Sequence, residues 1–192
     1  MTRPAPRSIH RSERIEVPAS RPLRVVVIAD THSQPHPKSA ELVAKQHPDV
    51  ILHAGDVGNL EILSAFEDIA PLHVVRGNIG GRGVGLADSI DIEVHHEGQS
   101  ILTFLLMHIA VYGPKLRRDA VALASQYGAS FVVCGHSHVP FIGLDRGLDM
   151  FNPGSIGPRR FQLPITFGVI DVAPGSVRAH HLSCETGERW SP

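Results

Sequence analysis

Five apolar runs in this chain each stop at a residue able to bind a metal ion, and no other feature of the sequence restricts the fold as much. Residues 24–29 (RVVVIA) form an unbroken, largely β-branched run, as expected of a strand covered on both faces, and ADTH follows, giving Asp30 and His32. The run at 49–55 (DVILHAG) leads to Asp56, and that at 72–78 (LHVVRGN) ends on Asn78. A strand at 101–106 is followed by His108, and one at 131–134 by GHSH, giving His136 and His138. In open α/β sheets ligands bind in the crevice beyond the carboxyl ends of the strands, because the loops diverge there and leave backbone groups free. Seven polar residues placed repeatedly at that rim should therefore converge.

The segments between these runs support such a sheet. Residues 37–46 and 59–70 read as helices, the second with Leu60, Leu63, Phe66 and Ile69 on one side. Strand, helix, strand, helix, strand implies a parallel sheet with right-handed crossovers. Further on, 88–108 reads as a hairpin through HHEGQ, and 114–128 as a helix stopped by Gly128. Short β segments separated by Gly and Pro turns complete the chain. The expectation is one α/β domain over residues 23–192, parallel in its first half and antiparallel in its second, with two facing sheets. Residues 1–22 hold four prolines and no sustained apolar periodicity, and read as a flexible N-terminal tail or a loosely docked segment.

Composition narrows the partners. With 18 Lys and Arg against 19 Asp and Glu in 192 residues, no charge surplus points to nucleic acid or an anionic membrane. The longest apolar runs fall far short of the ~20 residues that span a bilayer. No secretory signal is evident, and two cysteines do not make a disulfide framework, so a cytoplasmic location is expected. Homo-oligomerisation stays open.

Carboxylates and neutral imidazoles are ligands of manganese, iron, zinc, cobalt and nickel, and the D-x-H and H-x-H spacings aim alternate side chains of an extended segment the same way. Seven ligands are too many for one ion. An aspartate at the centre of such a set can bridge two divalent ions, which would polarise a hydroxide and clamp an in-line displacement at phosphorus. Two cations, two aspartates and one hydroxide leave about +1, which suits an anionic substrate.

The blocks DTH, GDVGN, GN at 77–78, MH at 107–108, GHSH and NPGS at 152–155, in this order and spacing, resemble the calcineurin-like metallophosphoesterases, in particular their small bacterial and archaeal phosphodiesterases. The resemblance implies a four-layer α/β/β/α sandwich of two facing mixed sheets. It also implies one metal on Asp30, His32 and His138, a second on Asn78, His108 and His136, and Asp56 bridging them. Asp56 and Asn78 would be the catalytic residues, and Asn152 and Ser155 would shape the site. The implied activity is phosphodiesterase or phosphatase hydrolysis of a small phosphoester by a hydroxide held between the metals, with Asn78 touching substrate. A protein-binding scaffold on the same fold, as in the related retromer subunit, is the alternative, and loss of ligands would have marked it. A mononuclear hydrolase such as an amidohydrolase also uses H-x-H, though near the chain start.

Two departures from the family pattern stand out. Ile79 and Gly80 occupy places where many members have a histidine and an acidic residue, so a general acid is missing and good leaving groups should be favoured. Ile109 stands where glycine is usual. GGRGVG at 80–85 lacks the lysine of a phosphate-cradling loop and reads as a plain loop, with Arg82 as its one candidate phosphate contact. His53 and His73 read as structural histidines, and the HH pairs at 95–96 and 180–181 as hairpin and strand-end residues.

Overall fold

A computed structural model of the chain describes residues 8–79 and 85–191. The elements run, in order, β1 (His10–Glu16), β2 (Leu23–Ile28), α1 (Ser39–Ala44), β3 (Val50–His53), a 3₁₀ turn (Leu60–Leu63), α2 (Ser64–Glu67), β4 (Leu72–Val74), β5 (Ser89–His96) and β6 (Gln99–Met107). Then follow β7 (Val111–Tyr112), β8 (Lys115–Leu116), α3 (Arg118–Tyr127), β9 (Phe131–Val133), β10 (Phe141–Asp145), β11 (Leu148–Asn152), β12 (Thr166–Ala173), β13 (Ser176–Ser183) and β14 (Arg189–Trp190).

Two six-stranded mixed sheets face each other, one ordered β1-β5-β6-β9-β11-β10 and the other β14-β13-β12-β2-β3-β4. Alternation along β2 shows why four layers form. Val25 and Val27 enter the core between the sheets with Leu52, Ile92, Phe104 and Val133, whereas Val26 and Ile28 join Val43 and Phe66 on the outer side under α1 and α2. On the other sheet, Leu105 and Val132 turn outward to Ala120 and Ala124 of α3. Strands buried on both faces need apolar residues at every position, as the sequence of β2 requires. The result is the expected α/β/β/α sandwich.

Several sequence expectations change in detail. The chain's second half is not purely antiparallel: β9 runs parallel to β6 and to β11, because α3 carries the chain back over the sheet between β6 and β9. Helical structure over 59–70 is split, since the Asn59 side chain accepts from Glu61 N at 3.1 Å and starts a 3₁₀ turn before α2. Gly128 ends α3 with φ 66°, as expected of a left-handed cap.

The larger correction concerns the N-terminus. Residues 10–16, expected within a flexible tail, form β1 and pair parallel with β5 from His10 opposite Ser89 to Glu16 opposite His95. Only Ile15 and Val17 supply apolar contacts, to the core between the sheets, too few to register as periodicity. Polar contacts do the rest: Ser12 Oγ donates to Asp91 Oδ1 at 2.6 Å, His10 Nε2 lies 2.7 Å from the same oxygen, and the His10 ring stacks on Tyr127 at 3.9 Å. Residues 1–7 lie outside the described residues.

Deleting residues 1–17 should therefore lower unfolding stability by about 2–4 kcal/mol, the burial of two aliphatic side chains, in a urea titration. An unchanged midpoint would return this segment to the status of a tail.

Candidate metal centre

The site is assembled by backbone hydrogen bonds between loops before any side chain is considered. Asp30 N donates to Gly55 O at 2.9 Å, His32 N to Asp56 O at 3.0 Å and Ser33 N to Val57 O at 2.8 Å, so the loops after β2 and β3 run side by side. In the other sheet Gly135 N donates to His108 O at 3.0 Å, joining the ends of β6 and β9. Bonds also cross between the sheets at this rim: His136 N donates to Asp30 Oδ2 at 2.9 Å, and the His108 ring reaches Ala54 O. Close approach is possible because residue 135 is glycine; a Cβ there would stand 2.9 Å from both Ala54 O and Asp30 Oδ2. At Gly77 a Cβ would collide with the Asp56 backbone and Oδ1.

These loops bring all seven sequence-derived candidates together. Asp30, His32 and His138 form one group, and Asp56, His108 and His136 another, each offering ligand atoms within 4.8 Å of one another. The Asn78 amide joins the second group, 3.2 Å from His136 Nδ1. Asp56 lies between the two. Its Oδ1 accepts from the amides of Asn78 and Ile79, which leaves Oδ2 facing His108 Nε2 at 3.4 Å and His32 Nε2 at 3.9 Å. In the first group His138 Nε2 is 3.4 Å from Asp30 Oδ1 and 3.2 Å from His32 Nε2.

Hydrogen bonding fixes which atoms are free. His108 Nδ1 donates to Ala54 O at 2.7 Å, so Nε2 presents its lone pair inward. That nitrogen and Asp30 Oδ1 are buried with no hydrogen-bond partner. Orphaned buried acceptors are costly, and here both point into a cluster of oxygen and nitrogen donors. The residues thus fit divalent metal ions on donor chemistry and on unsatisfied atoms alike. A second sign is strain: ten non-glycine residues among those described have positive φ, and five of them are Asp30, His32, Asp56, His136 and His138. Such backbone states persist where surrounding structure enforces them, characteristically at functional sites.

Burial sets the protonation of the ion-free cluster. It raises the Asp30 carboxyl to about 7, opposed by the nearby His108. Burial would raise Asp56 as well, but His108 and the amides of Ile79 and Asn78 outweigh it and hold that carboxyl below its ordinary range. Burial lowers His138 to about 4, with the Arg160 charge adding to it, and lowers His32 and His136 too. For His108 burial is outweighed by Asp56 and Asp30, and its pKa is raised.

Surrounding residues hold the cluster. Ser155 Oγ donates to Asp30 O at 2.9 Å, and Asn152 Nδ2 to Gly135 O at 2.7 Å, so the NPGS turn braces two ligand loops without reaching the cluster itself. His53 is fully buried, accepts from Gly55 N at 3.2 Å and bonds Thr31 Oγ1, a structural role that positions the DTH loop. Arg82 lies outside the described residues. Arg160 was not anticipated: its Nη2 sits 3.2 Å from His32 Nε2, five residues beyond Ser155 and carrying no motif signal.

The family model for the calcineurin-like phosphoesterase superfamily domain matches residues 23–175. The chain belongs to that superfamily. Among its relatives, the probable metallophosphoesterase MG207 of Mycoplasma genitalium is 33% identical over 74% of this chain and 79% of its own length. Two solved structures share the phosphoesterase fold. A Streptococcus pneumoniae protein described as a predicted phosphoesterase is 19% identical, covering 87% of this chain and 92% of that one, with a TM-score of 0.62. Vps29 of Entamoeba histolytica, solved in complex with zinc, is 20% identical over 87% of this chain and 96% of that one, with a TM-score of 0.68. Metal-dependent phosphoester chemistry is therefore the family's frame for this centre.

A pH dependence follows. Metal binding at these residues would need ionised Asp30 and an unprotonated His108; both pKa values are raised in the ion-free protein, that of Asp30 to about 7, so protons compete with the metal as pH falls through that value. Manganese affinity, titrated by calorimetry, should weaken about tenfold or more from pH 7 to pH 6 and release protons on binding. Affinity flat across this interval would contradict the assignment of these two groups.

Proposed function

We propose that the protein is a binuclear metal-dependent phosphodiesterase acting on small phosphoesters. The observation that carries this reading is the position of Asp56, whose Oδ2 lies between a triad of Asp30, His32 and His138 and a second group of Asn78, His108 and His136. Asp30, His32 and His138 would hold one divalent ion, Asn78, His108 and His136 the other, and Asp56 both; manganese, iron, zinc, cobalt and nickel all suit these donors. Bound there, the ions supply Lewis acidity that activates water and offsets charge at phosphorus.

The chain's own groups explain the rest. Asn78 sits exposed at the edge of the second group, where its amide can donate to a phosphoryl oxygen as charge develops. Arg160, exposed beside His32, extends positive charge past the first group and can take another phosphoryl oxygen, the role first assigned to Arg82. The place after Asn78 is filled by Ile79, 38% exposed, which cannot protonate a leaving group. Absence of that acid costs alkyl esters most, since an alkoxide leaves poorly unprotonated, by a factor on the order of 10²–10⁴. A purely scaffolding role is disfavoured because no ligand has been lost.

Manganese-loaded protein should hydrolyse bis-p-nitrophenyl phosphate well ahead of simple alkyl monoesters. Asp56→Asn should lower kcat by about 10³-fold or more while circular dichroism stays native, and Arg160→Ala should raise KM by about fivefold. Comparable turnover of alkyl monoesters would overturn the leaving-group inference, and an active Asp56→Asn the bridging role.

A further inference from the structure

After delivering His108, the chain turns through Ile109 into the β7–β8 hairpin, and after His138 it turns through Val139 into β10. Between these departing segments lies a groove of about 540 Å³. Ile109, Val111, Tyr112, Val139 and Phe141 line it, and so does His136, which makes it continuous with the metal centre. Its volume falls in the range of small-molecule sites, roughly 300–1,000 Å³.

The lining has a definite chemical character. It includes no acidic residue, and its one cation, Arg117, is held by Asp119 through contacts of 3.1 and 3.0 Å. Tyr112 is 87% exposed and Val139 43% exposed, an unusual pairing of large apolar surfaces at the edge of a charged centre. Ile109, the residue that departs from the family's usual glycine, supplies one of the apolar walls. Arg160 stands at the other flank, beside His32. The centre is therefore polarised, with a cation at the His32 end and an apolar groove at the His136 end.

We propose that this groove is the subsite for one alcohol of the phosphodiester and that it selects an aromatic, uncharged alcohol over a small aliphatic one. The inference rests on the phosphodiesterase reading above. With the phosphoryl group over the metal centre and an oxygen toward Arg160, the ester substituent on the opposite side enters the groove. An aromatic ring there displaces water from the aliphatic walls and meets the ring of Tyr112, whereas a methyl group leaves the groove wet.

Two substrates with the same leaving group isolate this effect: phenyl p-nitrophenyl phosphate and methyl p-nitrophenyl phosphate, assayed by p-nitrophenolate release from manganese-loaded protein. The phenyl ester should be preferred about tenfold in kcat/KM, mainly through KM. Tyr112→Ala should shrink that ratio by about threefold or more, and Tyr112→Phe should keep it. A wild-type ratio near one, or a ratio unmoved in Tyr112→Ala, overturns the subsite. Hydrolysis of neither ester would instead sink the phosphodiesterase reading, and the groove is then judged by calorimetry. Phenylphosphonate binding more tightly than methylphosphonate, with the difference lost in Tyr112→Ala, supports it, and equal affinities overturn it.

Discussion

The centre depends on the docking of the two sheets at their rims, through the hydrogen bonds from His136 N to Asp30 Oδ2 and from His108 Nδ1 to Ala54 O. Neither sheet alone holds a complete set of donors. Asp30, His32, Asp56 and Asn78 come from the sheet that contains β2, β3 and β4, whereas His108, His136 and His138 come from the one that contains β6 and β9. By spending one carboxylate oxygen on a backbone amide, Asp30 docks the two rims and keeps its other oxygen free. Gly135 is required for the same reason, since any side chain would wedge the rims apart.

Such an arrangement is unfavourable locally. Five candidate ligand residues adopt left-handed backbone conformations, at a cost of about 1 kcal/mol or more each, and two buried acceptors go unpartnered. The layers beneath sustain it. Apolar residues fill the space between the sheets and both outer faces, and β2, β3 and β9, which lead to Asp30, His32, Asp56, His136 and His138, are among the most deeply buried of the described strands. A rigid sandwich thus supports a strained, electron-rich rim, where a bound cation would relieve the repulsion between Asp30 and Asp56 that burial intensifies.

Much of this was legible in the sequence, for identifiable reasons. Strands buried on both faces, such as β2, announce themselves by continuous apolar character, and the residue after each is conspicuous because it is polar. All seven candidate ligands were found this way. What escaped notice had weaker physical signatures. β1 is attached by His10 and Ser12 to Asp91, polar contacts that leave no periodicity. Arg160 reaches His32 only because the turn after Ser155 folds back on the DTH loop, a tertiary fact without a local cue. The split helix at 59–70 and the parallel placement of β9 follow from a cap and a crossover that sequence periodicity does not distinguish from the simpler alternatives.

The central claim is that two divalent ions share this rim across Asp56. Diffraction at the manganese absorption edge, from crystals grown with manganese, tests it most directly. Two anomalous peaks per chain are predicted, one among Asp30, His32 and His138 and the other among Asn78, His108 and His136, with an Asp56 carboxylate oxygen on each. A single peak, or ions bound away from these residues, would contradict the account.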